Sequence, residues 1–386
     1  MTRDALWFVV DFLPRWLDRA TTADGAVVEA MSLEAETDTS AATTLTQART
    51  IFALTHLYLV TKDARLLEAA RGIYCFMDLA LRDATGGYRL STENALQRSY
   101  DQSFALLALT TLRRVDPDAV PASRITDLWR FIEEELTEPA TGALWDDDTM
   151  GVDGAGVGAM RAQNPHMHML EAALQAFEMT GDAVWLDRAT HLVQLAKQHF
   201  VDPDTGAVRE FVGPGLAPLT TPEGLRREPG HQYEWAWLLH RFADFGGDPM
   251  ARVMADRMIA FVEAHGLRRD GPMIGAPFDA VDEAGRVTEA THLLWPLTEA
   301  GKFHAATGAP ERTRAIGKLI FERYFAGGSN PVWSNRLDGD GRILGPTALS
   351  RLIYHVALFV TEGARAGLWP IDDLPQTKTF QKETTT

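Results

Sequence analysis

Cysteine is almost absent. Cys75 stands alone in 386 residues, so no internal disulfide can form and a multi-thiolate zinc site is excluded. Long apolar runs are missing as well. No stretch approaches ~20 uninterrupted apolar residues, so no membrane-spanning helix is expected. The opening "MTRDALWFVVDFLPRW" has one short apolar run, broken by Asp11 and Pro14, and lacks the parts of a secretory leader. There is no basic run of the kind that tracks phosphates. Lys+Arg number 37 against Asp+Glu 53, a formal net charge of -16, which argues against nucleic acid and anionic membranes as partners. Nucleophile elbow, P-loop, dinucleotide fingerprint and HExxH are all lacking. What remains is ordinary globular composition, 46% hydrophobic, with enough chain for a large core. A cytoplasmic monomer or homodimer without resident metal or cofactor is the expectation.

What is present is a repeat of pattern. Apolar residues recur at helical spacing at roughly 4–20, 43–61, 64–82, 98–114, 122–137, 165–180, 182–200, 231–245, 249–266, 289–307, 310–326 and 347–366. Connections after the even-numbered segments are mostly short, such as "TGDA" and "TGAPE", and short links make antiparallel neighbours. Connections after the odd-numbered segments are long and alike: "TADGAVVEA", "DATGGYRLS", "EPATGALWD", "DPDTGAVRE", "DEAGRVTEA" and "DGDGRILGP". Each places a turn at glycine before a short β-prone run. Six helical hairpins with every long loop at one end predict an all-α (α/α)6 barrel, with even helices inside. An open solenoid is the alternative, and it would need capping repeats. The barrel is expected to occupy 1–372 as one domain, with 373–386 a polar tail.

Such a barrel would place its pocket at the starts of the even helices, and polar residues collect there. They are Gln47 and Arg49, Tyr100 and Asp101, His166, His168 and Glu171, then His231, Glu234 and Trp235. His292, Trp295 and Glu299 follow, and Arg351, Tyr354 and His355 close the series. The outer helices mostly lack such residues. Arg49 is costly to bury unless paired, and Asp101 is its expected partner. Pro296 is expected to kink its helix beside Trp295.

Histidines near an arginine suit proton transfer at near-neutral pH, and a cation near a carbonyl oxygen can stabilise an enediolate. That points to proton abstraction next to a carbonyl. Three other readings stay open. "HMH" at 166–168 has a spacing that splits two ligands across helix faces, although His168 and Glu171 share one. Asp101, Glu171, Glu234 and Glu299 offer carboxyl pairs for glycoside hydrolysis. A sugar-binding protein would instead show aromatics and few titratable groups.

The pieces "QAR", "YDQSFALLAL", "NPHMHMLEA", "GHQYEWAWLL", "LWPLTEA" and "YHVAL" fall in order on the six inner helices. As a set they resemble the N-acylglucosamine 2-epimerase superfamily, which includes mannose isomerases, cellobiose 2-epimerases and sulfoquinovose-type isomerases. The resemblance implies a metal-free (α/α)6 barrel acting on a sugar through an open-chain aldose and a cis-enediol. It implies His231 and His355 as the acid/base pair, Arg49 near the reacting oxygens, and His168 in substrate binding and ring opening. Glu234 would orient its histidine, and Trp295 and Glu299 match a "WPxxE" element. Tyr100, Asp101, Glu171, His292 and Arg351 join them as expected substrate-binding residues. A monosaccharide aldose–ketose isomerase of the mannose–fructose type is the expected activity, with aldose 2-epimerisation the alternative. A second-sugar subsite would draw on Tyr88, Trp145 and Trp333. An acidic sugar would draw on Arg161, Arg209 or Arg226.

Overall fold

Two kinds of helix alternate along the chain. Outer helices bury one stripe: in Ala64–Ala80 the buried positions are Leu66, Leu67, Ala70, Ile73, Tyr74 and Met77, the spacing of a single apolar face. Inner helices bury almost everything: in Thr44–Thr61 every residue from Thr44 to Leu57 is buried, polar ones included. A helix enclosed on all sides stands in the middle of the structure, and its buried polar groups must find partners inside.

A computed structural model describes residues 3–371 other than 39, 326, 327 and 346. The outer helices are α1 (Ala5–Trp7, continued through Phe8–Phe12 and Leu13–Ala20), α3 (Ala64–Ala80), α5 (Ala122–Glu135), α7 (Ala183–Leu195 and Ala196–Phe200), α9 (Met250–Phe261 and Val262–Gly266) and α11 (Pro310–Leu319 and Ile320–Tyr324). The inner helices are α2 (Thr44–Thr61), α4 (Ser99–Val115), α6 (Asn164–Thr180), α8 (Pro229–Asp244), α10 (Leu294–Ala306) and α12 (Ile353–Arg365). Each inner helix packs on the next, and α12 returns to α2, so the ring closes as an (α/α)6 barrel. Ala30–Ser32 pairs antiparallel with Thr347–Leu349, which ties the first long loop to the last. The tail expected at 373–386 lies outside the described residues.

The long loops are pinned by a recurring device. In three of them the residue two after the loop glycine is held by a glutamine in the first turn of the next inner helix. Gln47 accepts from the Val27 amide at 2.8 Å and donates to its carbonyl at 2.9 Å. Gln102 does the same for Tyr88 and Gln232 for Val208. A carboxamide fits because it offers one donor and one acceptor, matching a peptide's edge. In the third loop the corresponding residue is His166, whose Nε2 accepts from the Leu144 amide at 2.9 Å. In the fifth, His292 Nδ1 donates to the Pro277 carbonyl at 2.8 Å. His166→Leu is expected to cost about 1–3 kcal/mol by orphaning the Leu144 amide, whereas His166→Gln restores the clamp of the other loops and stays within about 1 kcal/mol of the parent. Urea unfolding checks both; equal losses would refute the equivalence.

Two inner helices start later than their apolar period suggests. Residues 289–293 and 347–352 read as helix, yet His292–Leu293 pairs with Arg336–Leu337 and Thr347–Leu349 pairs with Ala30–Ser32. Backbone partners from distant loops outcompete the local period there. The late start also changes Pro296. It sits in the first turn of α10, where no intrahelical donor is lost, so it does not kink the helix.

Candidate active site

Arg49 on α2 meets His355 of α12, while His168 and His231 stand near the starts of α6 and α8. Arg49 is buried on α2. Its Nη1 lies 3.5 Å from His355 Nε2, and its Nη2 donates to the Tyr100 hydroxyl at 2.6 Å. The guanidinium faces the rings of Phe104 and Tyr354 at 4.1 and 5.0 Å, and cation–π attraction partly offsets its burial. Asp101 is not its counter-ion. Both Asp101 oxygens accept from Arg98 at 2.8 Å, so Asp101 serves as an ion-pair partner rather than a pocket residue.

Each of the three histidines donates Nδ1–H to its own carboxylate and turns Nε2 elsewhere. His168 bonds Glu171 at 3.0 Å, His231 bonds Glu210 at 2.7 Å, and His355 bonds Glu299 at 2.7 Å. Their charge states differ. Burial pushes His355 well below the usual histidine range, and the Arg49 and Lys302 cations add to this. His355 is therefore neutral, with a lone pair on Nε2. Burial also lowers His168, to about 4, against the pull of Glu171. His231 goes the other way. Burial opposes its charge, but Glu210 and Glu228 outweigh it and push it up to about 10. Glu228 Oε2 lies 3.3 Å from His231 Nδ1. Trp295 lies against both rings, with centroids 4.8 Å from His231 and 5.9 Å from His355. A neutral and a charged histidine thus share one tryptophan.

Trp295 is held in place by an absent side chain. A Cβ on Gly230 would stand 2.5 Å from the Trp295 ring and 2.9 Å from Pro296. Gly230→Ala is expected to push the indole aside and reduce kcat about 10- to 100-fold, the usual effect of shifting a reacting geometry by about 1 Å. Steady-state kinetics would show it; parental kcat would mean that the indole's position is immaterial.

Several expected roles change. Glu234 makes no hydrogen bond to His231, although it is one of the carboxyl groups that raise that histidine. It lies 3.9 Å from His168 Nδ1, and burial together with the Glu299 charge raises it well above the usual carboxylate range. Glu171 also accepts from the Tyr354 hydroxyl, and both it and Glu299 orient histidines instead of facing open space. His292 is outside the cluster, bonded to Pro277 and stacked 5.5 Å from Phe278. Tyr88, Trp145 and Trp333 are buried and build no subsite. Arg161 pairs with Glu138, Arg209 with Asp202, and Arg226 with Glu228 and Glu289.

The residues missed in the sequence are Glu210, Glu228 and Lys302. Lys302 is fully buried, 2.5 Å from Glu299 Oε2 and 4.1 Å from the Trp237 ring centre, and so completes a Lys302–Glu299–His355 chain. For Glu210 a signal existed: it stands four residues after the loop glycine, where Glu29, Asp146 and Glu289 stand in other loops. Among the described residues, three groups have ligand types and spacing compatible with a metal ion: His168, Glu171 and Glu234; Glu210, Glu228 and His231; Glu234, Glu299 and His355. The second would have to discharge His231 first, and a cation in the third would face Lys302.

The sequence pattern of the N-acylglucosamine 2-epimerase (GlcNAc 2-epimerase) family matches residues 28–358. The chain belongs to this family. Among curated relatives, a protein of Rhizobium meliloti (strain 1021) named mannose-6-phosphate isomerase is 29% identical over 378 residues, covering 92% of this chain and 94% of its own. A crystal structure of D-mannose isomerase superposes with a TM-score of 0.81 at 18% identity, covering 92% of this chain and 95% of that one. The cellobiose 2-epimerase of Bacillus thermoamylovorans B4167 gives 0.77 at 19%, covering 91% and 95%. At these identities the two structures bear on fold alone. Family membership makes the chain an isomerase or epimerase.

Proposed function

We propose that the protein is an aldose–ketose isomerase of the mannose–fructose type. The observation that carries this reading is the opposite protonation of His355 and His231 across Trp295. Neutral His355, with its Nε2 lone pair beside Arg49 and its Nδ1–H donated to Glu299, would be the general base that removes the C2 proton of the open-chain aldose. Arg49, touching that nitrogen, would stabilise the enediolate oxygen, and His231 as a cation would donate to O1. Return of the proton from His355 to C1, as the now neutral His231 accepts the proton of the O2 hydroxyl, would give the ketose and restore both histidines. Burial of Tyr88, Trp145 and Trp333 favours a single sugar over a disaccharide. The relatives' names favour mannose, and they divide over a phosphate.

The charged His231 also favours a second reading, 2-epimerisation, in which it delivers its proton to the opposite face of C2. Turnover of mannose, mannose 6-phosphate and cellobiose in D2O separates the outcomes. Deuterium at C1 of a ketose is expected; deuterium at C2 of an epimer would select the second reading, and sugar release without exchange would indicate a hydrolase. Activity is expected to survive EDTA. Loss reversed by one added metal would instead make one of the three ligand groups a metal site.

A further inference from the structure

Lys302 is fully buried, and the proton transfers above give it no part. An unpaired ammonium would be costly there, but this one is matched. Its Nζ lies 2.5 Å from Glu299 Oε2, one turn back on α10. The rings of Trp237 and Tyr354 flank it, with centres 4.1 and 5.9 Å away. Three buried carboxyl groups feel its charge: Glu299, Glu234 on α8 and Glu171 on α6, and it favours the ionised form of each. Burial raises Glu299, and the attraction of Lys302 is the largest effect opposing that rise.

The other oxygen of Glu299 is already committed. Oε1 lies 2.7 Å from His355 Nδ1, and Arg49 Nη1 lies 3.5 Å from Nε2 of the same ring. A neutral imidazole carries one proton, and the partners of its two nitrogens decide which of them holds it. An ionised carboxylate can only accept, so it calls for the proton on Nδ1. A protonated Glu299 could donate instead. The imidazole proton would then sit on Nε2, facing a guanidinium that offers only donors, and the ring would lose the lone pair with which it takes a proton. Glu299 also faces His168 and Glu171 on α6, Glu234 on α8 and Tyr354 on α12, and the two carboxyl groups among these disfavour its charge. Lys302 is the cation that touches it.

We propose that Lys302 is a positioning residue whose ammonium keeps Glu299 ionised, so that Glu299 fixes the His355 proton on Nδ1 and leaves the lone pair on Nε2. This rests on the isomerase reading, in which His355 is the base. A charge inside the barrel thereby selects which nitrogen of the base meets the sugar.

The test compares the parent with Lys302→Met and with Lys302→Met/Glu299→Gln. ¹⁵N spectra of histidine-labelled protein without substrate report the tautomer, the His355 signals being identified by their loss in His355→Gln. The parent is expected to carry the proton on Nδ1. Lys302→Met is expected to shift it toward Nε2 near neutral pH and to lower kcat about 100-fold, within the range of general-base catalysis, with KM changed less than about threefold. Its kcat is expected to recover as rising pH ionises Glu299, below the alkaline limit that His231 sets at about 10. In the double variant the carboxamide oxygen accepts from Nδ1, the orientation that Arg49 favours from the other side. That variant is expected to restore the Nδ1 proton and to bring kcat within about 10-fold of the parent, without the recovery at high pH. Lys302→Gln, which keeps a donor toward Glu299 but no charge, takes the place of Lys302→Met if the latter does not fold. A parental His355 tautomer in the single variant, or a loss of kcat that the double variant does not relieve, would overturn the proposal. If no sugar exchanges its C2 proton, the isomerase reading falls, and the tautomer measured without substrate still upholds or refutes the control by Lys302.

Discussion

His355→Gln is expected to lower kcat about 10³- to 10⁴-fold while the fold survives, and to abolish exchange of the C2 proton in D2O. The size follows from removing a positioned general base. Glutamine keeps a polar group beside Glu299 Oε1 and Arg49, so the carboxylate 2.7 Å from His355 Nδ1 is not stranded. The Nε2 lone pair is what disappears. His231→Gln produces a loss of similar order by removing the acid. Its two variants separate by exchange: without His231 slow C2 exchange persists because His355 still deprotonates, while without His355 it stops. Exchange at near-parental rate in His355→Gln would assign the base elsewhere, with His168 next in line because it too is neutral.

The second large effect is on the pH profile, through Glu210→Gln. In the parent, His355 is held neutral and His231 charged up to about 10, so kcat/KM is expected to be flat through the neutral range and to fall as pH rises through about 10. Glu210 supplies the nearest negative charge to His231, and removing a charge in contact moves a pKa by about 1–3 units. The cation loses support, so the alkaline limb moves down, toward pH 7 to 9, and activity at pH 9 falls while that at pH 6 changes far less. The stability linkage has the same sign. A histidine raised in the folded state contributes fully below its ordinary pKa of about 6.5, and the contribution is lost as pH rises toward 10. Glu210→Gln flattens that dependence. A lower plateau with an unmoved alkaline limb would make Glu210 a scaffold residue only, since Glu210 also accepts from Gln163 at 3.1 Å and the Glu228 amide at 3.0 Å.

Helical period, alternating loop lengths and the recurrent glycine turns were enough to read the barrel in the chain, because each is a local property of 10 to 20 residues. The same holds for Arg49, His168, His231, Trp295 and His355, which stand at equivalent places of successive inner helices. Equivalence in the repeat does not distinguish a pocket residue from a clamp. His166 and His168 are two residues apart, and one holds a loop amide while the other faces Arg49. His292 looked like a further pocket histidine for the same reason, yet it bonds the Pro277 carbonyl.

Which carboxylate serves which histidine was a matter of tertiary structure. Glu234, one helical turn from His231 in sequence, lies toward His168, and Glu210 reaches His231 from a loop 21 residues away. Arg49 and Asp101, paired on paper, take different partners. Helix starts at Leu294 and Ile353 were likewise set by strand partners from remote loops. The sequence alone determined the ring of six hairpins and the residue types offered to its mouth, since periodicity and turn chemistry act between near neighbours. The tertiary structure decided the charge on each histidine, because electrostatics depends on distance in space and on burial, neither of which a spacing along the chain specifies.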